Sequence, residues 1–228
     1  MESLRVLNLY AGIGGNRKLW EDVDVTAVEY DPKIAAVYQE LFPDDTVLVE
    51  DAHQYLLDHF KEFDFIWSSP PCPTHSCVNN FLHHQGVIRY PDMKLWQEIV
   101  FLKTWYKGLY CMENVKSYYE PFITPYYYRD RHYLWSNFYI TEFEPGPMGW
   151  DITNAGGRIP RVSSDEYLNK LQEHHGIVLP DDLTKTFKIK VLKNCLFPPL
   201  GKHILNCARG NTQQEITAFS KSLRIEEK

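Results

Sequence analysis

The chain has no run near the roughly 20 consecutive apolar residues that a helical bilayer span requires. A helical membrane anchor within it is therefore not expected. It also lacks a CxxC pair, and its cysteines (Cys72, Cys77, Cys111, Cys195 and Cys207) are five, an odd number. A disulfide framework is not expected, and free thiols point to a reducing compartment. Positive charge is not in excess: 24 Lys and Arg stand against 30 Asp and Glu, a net charge of −6. Any affinity for a polyanion has to come from a local site. No internal repeat or low-complexity tract occurs. The glycine-rich stretch near the start continues into Asn16-Arg17, so it is not the GxGxxG dinucleotide pattern. No GK[ST] marks a phosphate loop. The opening MESLRVLNLY has neither a basic n-region nor a long apolar h-region, which gives the expectation of a cytoplasmic protein.

What is present fits a single domain. The chain has 228 residues, 44% of them hydrophobic, enough for a sizeable core. Short β-rich runs alternate with helical stretches through the first half. Candidate strands cover residues 5–9, 23–28, 46–49, 63–67 and 109–112. Candidate helices cover residues 32–41, 53–60 and 92–106, and a helix is also expected directly after the glycine loop. This alternation implies a doubly wound, mostly parallel α/β sheet. A further strand is expected over 133–140, a loop over 145–161, and helices over 164–175 and 212–222.

In such a sheet ligands bind at the carboxyl ends of the strands. Every unusual group falls there. Ala11-Gly12-Ile13-Gly14-Gly15 follows the first strand, Glu29 ends the second, Asp51 ends the third, SSPPC ends the fourth, and Glu113 ends the fifth. These groups should line one crevice. The glycines allow close backbone approach to a ligand, or simply make a tight turn. Glu29 suits a ribose and Asp51 an adenine amino group, which together imply a nucleoside cofactor without a pyrophosphate. Pro70-Pro71 hold Cys72 on a stiff, non-helical stalk. Cys72 then reads as a nucleophile, a small buried hydrophobe, or a metal ligand with His75, Cys77, His83 and His84. The spacing matches no standard closed metal site, and no metal is expected. Glu113, in an apolar pocket, is expected to have a raised pKa and to hold or donate a proton.

The segments LNLYAGIGGNRKLW, VEYD, PPC within SSPPCP, MENV and NCLFPPLGKHIL together resemble, in order and spacing, the motifs of the DNA cytosine-C5 methyltransferases. PPC combined with ENV is the specific signal. The resemblance covers roughly residues 4–140 and 193–208. It implies a Rossmann-like sheet that binds S-adenosyl-L-methionine and releases S-adenosyl-L-homocysteine. It implies transfer to C5 of a cytosine flipped out of DNA, through a covalent bond from Cys72 to C6. Glu113 would engage the ring N3 and amino group, and Arg131 the base, with His132 as an alternative. Tyr10, Ala11, Gly12, Ile13 and Gly14 would approach the methionine part of the cofactor. Glu29 would bind the ribose, with Tyr30 beside the adenine. Asp51 and Ala52 would meet the adenine edge, and Ser69, Pro70 and Asn194 would complete the pocket.

There are departures. Pro73 stands where the family has glutamine, Ser68-Ser69 where it has two glycines, and Lys193 where it has a glycine. Residues 140–193 leave little room for a target-recognition domain, given ordinary domain sizes near 100 residues. The implied division is a catalytic domain at 1–144, a short variable region at 145–192 that could touch DNA through Arg158 and Arg161, and a returning C-terminal segment at 193–228. The alternatives are a partner-dependent or non-catalytic subunit, a cytosine-C5 enzyme acting on RNA, and an amino-directed methyltransferase. The last needs an aromatic where Cys72 stands. A partner chain could supply target recognition. A bacterial or phage restriction-modification setting is the expected context.

Overall fold

The computed structural model describes residues 3–129, 131–143 and 163–210. Seven strands form one sheet: β1 (Leu4–Leu9), β2 (Val23–Val28), β3 (Thr46–Leu48), β4 (Phe65–Ser68), β5 (Leu109–Val115), β6 (Tyr127–Arg129) and β7 (His132–Ser136). Their order is β3-β2-β1-β4-β5-β7-β6. The first five run parallel, and β7 lies antiparallel between β5 and β6. The chain winds outward from β1 in both directions, so the β1–β4 boundary is the switch point at which such sheets bind ligands.

The sheet is buried on both faces, as a parallel sheet must be. On one face Val6, Phe65, Trp67 and Cys111 pack with Leu200, Ile204, Leu205 and Ala208 of α7 (Pro198–Gly210). On the other face Leu7, Leu9, Ile66 and Met112 meet two helices, Leu56 of α2 (Ala52–His59) and Leu95, Ile99 and Leu102 of α4 (Lys94–Trp105). A third cluster joins Ile13 and α1 (Pro32–Leu41) to α5 (Ser164–His175) and α6 (Lys185–Lys193). The described part of residues 145–192 thus packs against α1 and the first loop. No helix among the described residues is long and apolar enough to cross a membrane.

The helix expected after the glycine loop does not form; residues 10–22 run as successive turns. Within the loop itself Tyr10, Gly12 and Gly14 have φ of 54°, 56° and 78°, outside the right-handed region. Arg17 instead pairs with Asp45 through two hydrogen bonds of 2.8 and 2.9 Å. These turns pack directly against α7. There Gly201 lies against the Asn16 backbone and accepts from Trp20 Nε1 at 3.0 Å. A Cβ at Gly201 would stand 2.8 Å from Asn16 Cα. Gly201→Ala should therefore destabilise the protein by roughly 1–3 kcal/mol despite alanine's better helix propensity. A thermal melt reads this, and an unchanged or raised Tm would contradict the close approach.

Further differences are local. The strand expected at 133–140 ends at Ser136. Strand β5 continues through Glu113 and Asn114, so both are strand residues. A short helix α3 (Asn79–His84) follows Cys72, and α6 and α7 were not foreseen. The helix expected over 212–222 and the loop expected over 145–161 lie outside the described residues.

Candidate active site

A cavity of about 570 Å³ opens at the carboxyl edge of the sheet. It is lined by Tyr10, Ala11, Gly12 and Ile13 after β1, by Glu29 and Tyr30 after β2, and by Asp51 and Ala52 after β3. Ser69, Pro70 and Cys72 after β4, Glu113 on β5, Arg131 just before β7, His132 at its start, and Asn194 at the end of α6 complete it. The expected convergence is present. Gly14 does not line the cavity. Its positive φ and the nearby ring of Tyr38, 2.9 Å from where a Cβ would sit, make it a packing glycine. Arg158 and Arg161 lie outside the described residues.

One half of the cavity suits a nucleoside. The Glu29 carboxylate is fixed by backbone N–H groups of Gly12 and Asp31, both at 2.9 Å. Each oxygen retains a lone pair for a hydroxyl donor. Gly12 has a left-handed φ, and a Cβ there would meet nothing within 4 Å. That open space is what a side chain would take from a ligand. Tyr30 is 76% exposed, so its ring face is free to stack. Asp51 has a structural role besides: it caps α2, accepting from Gln54 N at 3.1 Å, and faces Lys94 at 3.6 Å. The Gln54 N–H, followed by the Lys94 charge, holds its carboxyl below the usual range.

The other half is reactive. Asn114, buried, donates to the Pro70 carbonyl at 2.9 Å and anchors the proline stalk. The Cys72 carbonyl accepts from the N–H groups of His75 and Ser76 at 3.0 and 3.1 Å, so the thiol sits at a tight turn. Burial raises the Cys72 pKa, and the Glu113 charge raises it further, with Arg131 opposing. Glu113 departs from expectation. Burial alone would raise its pKa, but the His132 imidazole at 2.6 Å, the Ser69 hydroxyl and the Arg131 charge outweigh it and hold the carboxyl below its ordinary range. The resting pair is a thiol beside a carboxylate.

His132 and Arg131 divide the work at this end. Arg131 Nε donates to His132 Nε2 at 3.4 Å, which leaves His132 Nδ1–H for Glu113. Arg131 also donates to the Lys193 carbonyl at 3.1 Å, tying the reactive end to the α6 terminus. Ser69 accepts from Trp67 Nε1 at 2.8 Å, which orients its hydroxyl toward Glu113. Neither support was foreseen for Glu113. The available signal was a polar residue at the end of each flanking strand. The metal alternative gains nothing: His75 is turned to the Tyr119 hydroxyl at 2.7 Å, and among the described residues no three His, Cys, Asp or Glu side chains are grouped to hold an ion.

Comparison with known proteins identifies the family. The family model described as C-5 cytosine-specific DNA methylase matches residues 4–121. A human tRNA (cytosine(38)-C(5))-methyltransferase is 35% identical over 101 residues, taking in 36% of this chain and 26% of that protein. The chain thus spans about a quarter of that relative. Among solved structures, an Entamoeba histolytica methyltransferase, EhMeth, shares the fold with a TM-score of 0.54 at 12% identity, over 91% of this chain and 98% of that one. A Spodoptera frugiperda DNMT2 mutant is 27% identical over 50% of this chain and 36% of that one, with a TM-score of 0.36.

Proposed function

The chain belongs to the C-5 cytosine-specific DNA methylase family, whose methyl donor is S-adenosyl-L-methionine, and from that premise we propose that it methylates C5 of cytosine in DNA through a covalent Cys72 adduct. The observation that carries the reading is the meeting of a fixed nucleoside acceptor, Glu29, with the Cys72–Glu113 pair in one cavity. The residues present fit the donor. Glu29 would hold its ribose, Tyr30 would stack on its adenine, and Asp51 and Ala52 would meet the adenine edge. The Gly12 turn would leave room for its methionine part, and Asn194 would close over it. When bound, it supplies an electrophilic methyl group.

The protein's part follows from the resting protonation. The thiol must lose a proton, and the ionised Glu113 is the nearby base that receives it. The Cys72 thiolate adds to C6, and Glu113 passes the proton to N3 as the ring takes up the electron pair. The Cys72 proton thus ends on N3, Glu113 returns to carboxylate, and C5 becomes an enamine carbon able to accept the methyl group. Loss of the C5 proton to solvent expels Cys72 as thiolate, and the N3 proton returns through Glu113 to Cys72, which restores both the ring and the resting thiol. His132 and Ser69 keep Glu113 aimed throughout and favour its return to carboxylate. Arg131 would contact the base. Residues 145–192, with Arg158 and Arg161, are the proposed nucleic-acid contact region, and a partner chain is the proposed source of further target recognition.

A second reading, cytosine in RNA, is favoured by the 35% identity to the human tRNA enzyme. The test is transfer of labelled methyl to duplex DNA, single-stranded DNA and tRNA, with nucleoside analysis of the product. 5-Methyldeoxycytidine from DNA supports the first reading, and 5-methylcytidine from tRNA alone replaces it with the second. Methylation at the exocyclic amine would overturn both.

A further inference from the structure

Glu98 lies on the inner face of α4 with no exposed surface. Its neighbours on that face, Leu95, Ile99 and Leu102, are core residues. An ionisable group there is costly unless its oxygens are satisfied. They are: Oε1 accepts from Tyr10 at 2.6 Å and faces His53 Nδ1 at 2.8 Å, while Oε2 accepts from Ser68 at 3.0 Å. The three partners come from three cavity-forming segments. Tyr10 begins the cofactor turn after β1. His53 follows Asp51-Ala52 in the first turn of α2. Ser68 is the last residue of β4, one residue before Ser69 and four before Cys72. Tyr10 also holds a φ of 54°, which a residue with a side chain sustains only when its surroundings impose it. The bond from its hydroxyl to Glu98 is such a constraint. Glu98, His53 and Ser68 do not line the cavity themselves.

We propose that Glu98 is a positioning residue that locks the cofactor turn, the start of α2 and the approach to Cys72 into one unit, so that donor affinity depends on groups that never touch the donor. The proposal rests on the cofactor reading of the cavity and not on the covalent chemistry or the identity of the nucleic acid.

The test is calorimetric titration of the full chain with S-adenosyl-L-methionine, without nucleic acid, for Ser68→Ala and Glu98→Gln, alongside thermal melts. Each variant keeps the fold's volume nearly unchanged. Ser68→Ala should weaken binding by roughly tenfold, the scale of losing one hydrogen bond to a charged group. Combined with Tyr10→Phe, its effect should fall short of the product of the two single effects, because both act through Glu98. Glu98→Gln should weaken binding at least as much as Ser68→Ala. A lowered Tm with Kd within about twofold of wild type in both variants would reduce Glu98 to a core carboxylate and overturn the proposal, as would fully independent effects of Ser68→Ala and Tyr10→Phe. Failure of the covalent route would appear instead as methylation that persists without Cys72, which this titration does not read.

Discussion

Cys72→Ala is expected to lose methyl transfer by on the order of 10⁴-fold or more, while binding S-adenosyl-L-methionine as tightly as the wild type. The size follows from the chemistry, because C5 of cytosine has no useful nucleophilicity until something adds at C6. No other thiol can substitute. Cys111 is buried in the core, Cys195 borders the cavity but is buried, with its thiol pKa pushed up to about 12, and Cys77 and Cys207 do not line the cavity. The unchanged donor affinity follows from geometry, since the nucleoside end is built by Glu29, Gly12 and Tyr30. Steady-state transfer and a binding titration on the same preparation check both halves. Residual transfer within tenfold of wild type would place the nucleophile elsewhere.

Glu113→Gln is expected to lower kcat/KM by roughly 10²- to 10⁴-fold, the range of a positioned general acid–base group. The same change should make Cys72 more reactive toward iodoacetamide at neutral pH, because the Glu113 charge is one of the causes that raise the thiol's pKa. Methyl transfer and thiol reactivity thus move in opposite directions, which a general loss of structure would not produce. Glu113 also carries a pH signature. Its folded pKa lies below its ordinary value of 4.5. The stability it contributes is therefore fully present above about pH 4.5 and is lost as pH falls through the lower folded value. Glu113→Gln should flatten the acid side of the stability profile. An unaltered acid limb, with unaltered Cys72 alkylation, would mean the two groups are not coupled.

The parts of the fold legible in the sequence were those governed by local pattern. Strands β1 and β2 read as short β-rich runs. Pro32 after Asp31 marked the start of α1, where Asp31 caps Lys33 and Ile34. Helix α5 spans the expected 164–175, and the structure adds its ends, the Ser163 cap and Gly176 in the left-handed conformation. The convergence on one cavity was legible as well, because a parallel sheet delivers every strand's carboxyl end to the same edge.

What was not legible depended on distant partners. The turns after Gly15, where a helix was expected, pack against α7, nearly 190 residues later. The proton state of Glu113 was misread because its partner His132 arrives on an antiparallel neighbour, 19 residues away. Ser68 and Ser69 read as departures from two family glycines, yet their hydroxyls serve Glu98 and Glu113. Gly14 was placed at the ligand because a glycine-rich string does not show which of its members packs against Tyr38 and Phe42.

The central claim is a carbon–sulfur bond between Cys72 and the target ring. The most direct measurement incubates the protein with S-adenosyl-L-methionine and DNA carrying 5-fluorocytosine, beside Cys72→Ala, followed by denaturing electrophoresis and peptide mapping. Fluorine cannot leave C5 as a proton does, so turnover should stall as a denaturation-resistant adduct on the Cys72 peptide, absent from Cys72→Ala. Methylation of ordinary cytosine by the same preparation with no adduct on the fluorinated strand, or an adduct that survives Cys72→Ala, would contradict it.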